Sequence, residues 1–246
     1  MRHLLVDGLL KEDRSDRPRD PDELVSSAAR SATQWIGASL NQREKALRDL
    51  LELADALPPQ PKHGPSFPDK IRSLDRALNE AAIPHAFGGA LAFGYYGEPR
   101  TTGDIDINVF ISTKDWLPLR DALTPLQIEA EVDERELRGT DQLRLEWGGT
   151  PVHLFFSCDS LPEQMRKKLR EVPFNGDAIL LVSPEHLVVR KVVLDRPKDW
   201  HDIEQMLVAS SPLNLDEVND WLRHIVGAGD ARLARLTEIE AALDLA

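Results

Sequence analysis

Two periodicities alternate along this chain. Apolar residues fall at helical spacing across residues 24–57, with Trp35, Ile36, Leu40, Leu47, Leu50, Leu51, Leu53 and Leu57 recurring. Pro58, Pro59, Pro61 and Pro65 interrupt that stripe and predict a stiff linker. A second helical stripe over 68–82 carries Ile71, Leu74, Ala77 and Leu78. A short strand over 84–87 then runs into Gly88-Gly89, followed by a helix over 90–95 and a strand over 104–111. Thr113 suits the N-cap of a helix to Leu123, with Asp115 in its first turn. Residues 142–147 and 150–156 read as two strands joined at Gly148-Gly149, a pair that suits a primed two-residue hairpin turn. Beyond Asp159 the chain turns helical, with one more strand over 178–182. Ser183-Pro184-Glu185 is a helix start, and helices are expected over 184–195, 198–210, 215–226 and 230–244.

The alternation predicts an α/β fold: a small mixed sheet with flanking helices, followed by a helical C-terminal region. Residues 1–22 are dense in Asp, Arg and Pro and read as a mobile tail. Residues 23–66 form an N-terminal helical segment with its Pro-rich linker, 67–160 the core, and 161–246 the helical region.

Composition narrows the function classes. Of 246 residues, 41% are hydrophobic and 29% charged, an ordinary balance for a globular protein. No apolar run reaches the roughly 20 residues of a membrane span, and the first residues are too acidic for a signal peptide, so no membrane partner is expected. Cys158 is the single cysteine, which excludes an intrachain disulfide and a cysteine zinc site; a cytoplasmic protein is expected. The formal charge of −12 argues against a broad basic surface for nucleic acid. It leaves room for local patches, of which Arg166-Lys167-Lys168-Leu169-Arg170 and Arg190-Lys191 with Arg196 and Lys198 are candidates.

Chemistry concentrates at Gly88-Gly89 and Asp104-Ile105-Asp106-Ile107. Residues i and i+2 of a strand share a face, so Asp104 and Asp106 point one way and the isoleucines the other. Neighbouring carboxylates repel unless a divalent cation lies between them, and a hard cation in turn attracts phosphate oxygens. The pattern reads as a metal-dependent nucleotide site.

A glycine pair after a strand, a helix, and Asp-x-Asp on the next strand resembles the nucleotidyltransferase fold of the polymerase-β-like superfamily. The fuller string is Gly88-Gly89-x-Ala-Leu, Tyr96-Gly97, Arg100-x-Thr102 and Asp104-Ile-Asp106-Ile. It is similar to the AbiEii/AbiGii toxin type, which includes the mycobacterial MenT toxins. Leu187, Lys191 and Arg196-Pro197-Lys198-Asp199-Trp200-x-Asp202-Ile203 extend the match, which spans roughly residues 70 to 207. The resemblance implies transfer of a nucleoside monophosphate from an NTP with Mg²⁺ held by Asp104 and Asp106. It further implies phosphate binding at Gly88 and Gly89, nucleotide contact by Lys191, roles for Arg100 and Thr102, and Asp202 as the last carboxylate, with Asp199 as its alternative. An RNA end such as that of tRNA would be the acceptor, and an antitoxin protein a partner. A small-molecule or protein acceptor is the rival reading, and a decayed nucleotide-binding protein a third.

The chain departs from the superfamily at Pro151-Val152-His153-Leu154-Phe155-Phe156, where His153 stands in place of a third carboxylate. Either His153 acts as base or ligand, or the family does without that acid, or activity has been lost. The predicted hairpin sets Arg144 opposite His153, and a cationic neighbour would lower the histidine's pKa. Glu146 is an imperfect substitute acid. Trp116, Trp200 and Trp221 read as core or interface, and the run Glu129, Glu131, Asp133, Glu134 and Glu136 as a solvated face.

Overall fold

A computed structural model describes residues 32–56, 64–128, 132, 137, 139–156, 160–210 and 212–243. The acidic run 129–136 except Val132, Cys158 and the linker prolines Pro58, Pro59 and Pro61 lie outside the described residues, as does the expected tail.

Helix α1 (Leu40–Ala56) begins well inside the first apolar stripe. Thr33–Trp35 forms a single 3-10 turn, and Gly37, at φ 74°, breaks the run and leaves Ile36 59% exposed. Ser39 and Gln42 then start α1 as a reciprocal capping box, the Ser39 N–H donating to Gln42 Oε1 at 2.8 Å and the Gln42 N–H to Ser39 Oγ at 3.3 Å. Leu47 and Leu51 are fully buried in the core. Helix α2 (Phe67–Glu80) is capped by Ser66 and buries Ile71, Leu74 and Leu78, close to the expected stripe.

Strand β1 (His85–Phe87) leads through Gly88 into helix α3 (Gly89–Tyr96), and strand β2 (Ile105–Val109) follows. Gly94 of α3 accepts Leu47 of α1 so closely that an added Cβ would stand 2.9 Å from Cδ1. Before helix α4 (Trp116–Leu123), Ser112 rather than Thr113 supplies the cap, and Thr113–Asp115 is a 3-10 turn. Strands β3 (Gln142–Trp147) and β4 (Thr150–Phe156) form the expected hairpin, with Gly148 and Gly149 at φ 52° and 75°. Lys70 of α2 is fully buried and holds that turn, donating to Trp147 O and Thr150 Oγ1 at 2.9 Å each.

After helix α5 (Ser160–Lys167) the structure differs from the expectation. The basic run does not continue as helix: β5 (Arg170–Phe174) and β6 (Asp177–Leu181) form a second hairpin through Asn175-Gly176, at φ 47° and 82°. Asn-Gly is the preferred pair for a primed turn. Helices α6 (Pro184–Leu194), α7 (Pro197–Ala209), α8 (Leu215–Val226) and α9 (Ala231–Ala242) complete the described chain near their expected bounds.

The result is the expected α/β fold, with a six-stranded mixed sheet in the order β3-β4-β2-β1-β6-β5. β2 lies centrally, antiparallel to β1 and parallel to β4, while β6 runs parallel to β1. Ile105, Ile107 and Val109 bury one face of β2, and each such side chain contributes roughly 1.5–3 kcal/mol of apolar burial. Asp106 and Asn108 take the opposite face, which is the site's floor. Trp200 is fully buried and Trp116 nearly so, with Trp221 packed partly buried against the core. No described helix is long and apolar enough to cross a membrane.

Candidate functional site

Gly88 is tied to β2 by its N–H, which donates to Asp106 O at 2.9 Å, and its carbonyl accepts from Ala92 N–H at 3.0 Å to begin α3. Gly89 has φ +54°, and a Cβ there would stand 1.7 Å from Asp106 Oδ2. Both backbone conformation and space therefore demand glycine at this position. The close approach sets the Asp106 carboxylate directly against the first turn of α3.

Asp104 immediately precedes β2. The Thr102 hydroxyl donates to Asp104 Oδ1 at 2.5 Å and accepts from the Asp104 N–H at 3.4 Å, so the loop orients this carboxylate. The parallel pairing of β2 with β4 places His153 beside Asp106, and the hairpin places Arg144 on its other side. His153 Nδ1 lies 3.1 Å from Asp106 Oδ1 and 3.9 Å from Asp104 Oδ2. One donor atom from each of Asp104, Asp106 and His153 falls within 4.8 Å of the others, a group able to hold a metal ion.

The expected depression of the His153 pKa is overturned. The hydrogen bond with Asp106 raises it; burial opposes the rise, the charges of Asp106 and Asp104 add to it, and Arg144 is the smallest influence. Arg144 does stand opposite, but an exposed guanidinium loses to a carboxylate in hydrogen-bond contact.

Lys191 and Asp202 also meet. The α6 C-cap, Asp195, adopts a left-handed conformation, and Trp200 Nε1 donates to its Oδ1 at 2.7 Å. This turn folds α7 back, so Lys191 Nζ lies 2.5 Å from Asp202 Oδ2 and 3.5 Å from Asp199 Oδ1, all three groups being buried. Arg100 donates to the same Asp202 oxygen at 3.1 Å. Arg196 donates twice to Asp199, at 2.6 and 3.1 Å. Burial pushes the Asp199 pKa up, but Arg196 and Lys191 together pull it below the usual range. That of Arg196 is raised by its bond to Asp199, with Asp106 and Asp104 adding to the rise.

These groups line one open cleft of about 520 Å³. Gly88, Gly89, Arg100, Asp104, Asp106, His153 and Lys191 contribute to its wall, and Asp199 does as well, whereas Thr102 and Asp202 act from behind. Glu146 pairs with Pro151 near the hairpin turn and is exposed. Of the two basic patches, only Arg190, Lys191, Arg196 and Lys198 reach the cleft; Lys168 of the other bonds Glu217 at 2.5 Å. Among the described lining residues, six cations (Arg100, Arg144, Arg190, Lys191, Arg196, Lys198) face three carboxylates (Asp104, Asp106, Asp199). With Asp202, which bonds Arg100 and Lys191 from behind, counted as well, cations still exceed carboxylates by two at the cleft, on a chain of net charge −12. Sequence reasoning missed Asn108 and Phe155 as site residues, although period two from Asp104 through Asp106 reaches Asn108, and from His153 reaches Phe155.

No family model matches the chain, and no curated protein matches it. Solved structures do match. The solution structure of the antibiotic-resistance factor ANT(2'')-Ia is 19% identical, covers 72% of this chain and 94% of that one, and has a TM-score of 0.47. A crystal structure of ANT(2'')-Ia with adenylyl-2''-tobramycin is 18% identical over 64% of this chain and 94% of that one, with a TM-score of 0.45. An antigenic nucleotidyltransferase-like protein from Paracoccidioides brasiliensis is 17% identical over 72% of this chain and 92% of that one, with a TM-score of 0.42.

Proposed function

We propose that this chain is a Mg²⁺-dependent nucleotidyltransferase that moves a nucleoside monophosphate from an NTP to an acceptor hydroxyl. The observation that carries the reading is the juxtaposition of Asp104 and Asp106 with a glycine turn at the head of α3, inside a cleft of positive charge. The two neighbouring carboxylates fit Mg²⁺, which is commonly held by one or two carboxylates and completed by phosphate and water. Bound there, Mg²⁺ would offset triphosphate charge and stabilise the departing oxygen.

The chain's own groups do the rest by positioning and charge. Asp104 and Asp106 would hold the cation, and His153, whose Nδ1 lies 3.1 Å from Asp106 Oδ1, would orient that carboxylate. The glycine turn lets phosphate oxygens approach the first N–H groups of α3. The acceptor oxygen attacks the α-phosphorus and forms a new P–O bond. The α–β bridging P–O bond breaks, its electron pair leaves with pyrophosphate, and the acceptor's proton passes to solvent. Thr102 orients Asp104, and Arg100 and Lys191 hold Asp202 behind the site. In this reading residues 67–160 carry Asp104, Asp106 and His153, 161–246 add β5 and β6 to the same sheet and α6 and α7 to the opposite wall, and α1 from the 23–66 segment packs Leu47 and Leu51 into the core.

The acceptor we favour is an RNA end, such as that of tRNA, within a toxin-like protein controlled by an antitoxin. The positive cleft supports an anionic acceptor. A cationic amino sugar would meet Arg144, Arg190, Arg196 and Lys198, which makes the small-molecule reading the weaker one. Incubation with each α-labelled NTP, Mg²⁺, total RNA, lysate protein and tobramycin separates them. Label in RNA supports the reading; label in tobramycin or protein transfers it to the rival acceptor; no label with any NTP contradicts both.

A further inference from the structure

Helix α6 presents two adjacent cations to the cleft, and the structure treats them differently. Lys191 is 5% exposed, and its ammonium lies against Asp202 and Asp199. Its charge is spent on two buried carboxylates. Arg190 instead crosses to the sheet. Its guanidinium stacks over the Phe155 ring at 4.2 Å and donates to Asn108 Oδ1. Asn108 and Phe155 are cross-strand partners, one step beyond the Asp106–His153 pair on the same face. Two strand residues advance by about 6.6 Å, so Arg190 is anchored one side-chain row away from the carboxylates. Asn108 also abuts the glycine turn: a Cβ on Gly88 would stand 2.9 Å from its Nδ2.

We propose that Arg190, held by Phe155 and Asn108, grips the pyrophosphate end of the nucleotide, while Lys191 serves as the counter-charge that keeps Asp199 and Asp202 in place. The inference rests on the nucleotidyltransferase reading. A triphosphate whose α-phosphorus faces Asp104 and Asp106 extends its β- and γ-phosphates along the floor toward the Asn108–Phe155 row. When the α–β P–O bond breaks, the electron pair stays on the β-phosphate oxygen, and the new charge develops next to a guanidinium whose fork suits phosphate. Stacking on an aromatic face and a side-chain amide fix that fork before the substrate arrives, so little ordering remains to be done on binding.

The test is equilibrium binding by calorimetry with Mg²⁺ present, using inorganic pyrophosphate, a non-hydrolysable NTP and the matching NMP. Arg190→Gln is expected to weaken pyrophosphate and NTP binding at least tenfold while changing NMP binding less than twofold. Phe155→Leu keeps the charge but removes its platform, and is expected to give an intermediate loss confined to the same two ligands; it decides the matter if Arg190→Gln does not fold. In turnover assays Arg190→Gln should raise KM for the NTP and also lower kcat, because the guanidinium meets both the bound phosphates and the charge that develops as the α–β bond breaks. Equal binding of pyrophosphate by wild type and by the folded variants overturns this inference and leaves the transferase reading standing. Failure of the wild type to bind any NTP with Mg²⁺ overturns both.

Discussion

Gly89 and Asp106 are fitted to each other: the carboxylate Oδ2 occupies the place where any side chain at position 89 would begin, 1.7 Å from an ideal Cβ. The glycine is in a left-handed conformation besides, at φ +54°. A side chain there would thus bear on the site through Asp106.

Gly89→Ala should accordingly displace Asp106 and cost about 1–2 kcal/mol from the left-handed backbone alone. Mn²⁺ binding, followed by electron paramagnetic resonance, should weaken at least tenfold, and urea denaturation should show the stability loss. A variant with wild-type Mn²⁺ affinity would show that the carboxylate has room to move.

His153 sets a pH dependence. Its folded pKa is raised, first by the Asp106 hydrogen bond, against burial. The contribution is therefore fully present below the unfolded value near 6.5 and is lost as pH rises through the higher folded value. In metal-free protein the imidazole should titrate by NMR above the usual histidine range, and Asp106→Asn should lower that midpoint. Thermal stability of the metal-free wild type, relative to His153→Asn, should decline over the same interval. Titration of His153 below the usual range would contradict the geometry.

The Lys191–Asp202 pair is buried at both ends, with 6% and 4% of the side chains exposed. Removing one partner of such a pair costs about 3–5 kcal/mol because the other charge is left buried. Because Arg100 still reaches Asp202 and Asp199 still faces Lys191, Lys191→Met and Asp202→Asn should each fall short of that loss in urea denaturation. The double variant should be less destabilised than the sum of the two, since it removes both charges together. Additive losses would mean that the two residues act separately.

Much of this was legible in local pattern, and the rest was either a local signal masked by its neighbours or a contact between segments distant in sequence. The β3–β4 hairpin follows from period-two alternation around Gly148-Gly149, and the shared face of Asp104 and Asp106 follows from the same period. The β5–β6 hairpin carries an equally local signal in Asn175-Gly176, but Pro173 next to it argues against a strand. The proline is tolerated because β5 is an edge of the sheet. The start of α1 was also written locally, in the Ser39–Gln42 capping box, and was masked by apolar residues upstream. The His153 shift was not legible locally. Its neighbour on one side, Arg144, follows from the hairpin, whereas Asp106 arrives through a parallel pairing of strands distant in sequence. Likewise, Lys191 reaches Asp202 only because Asp195 turns left-handed and Trp200 pins it.

The central claim is that Asp104 and Asp106 direct attack at the α-phosphorus of an NTP. The most direct measurement compares α-labelled with γ-labelled NTP in the presence of Mg²⁺ and RNA, for wild type, Asp104→Asn and Asp106→Asn. The account predicts that wild type moves the α-label into the acceptor and releases the γ-label as pyrophosphate, and that either variant reduces this at least a hundredfold. Transfer of the γ-label to the acceptor, or undiminished turnover by Asp104→Asn, would contradict it.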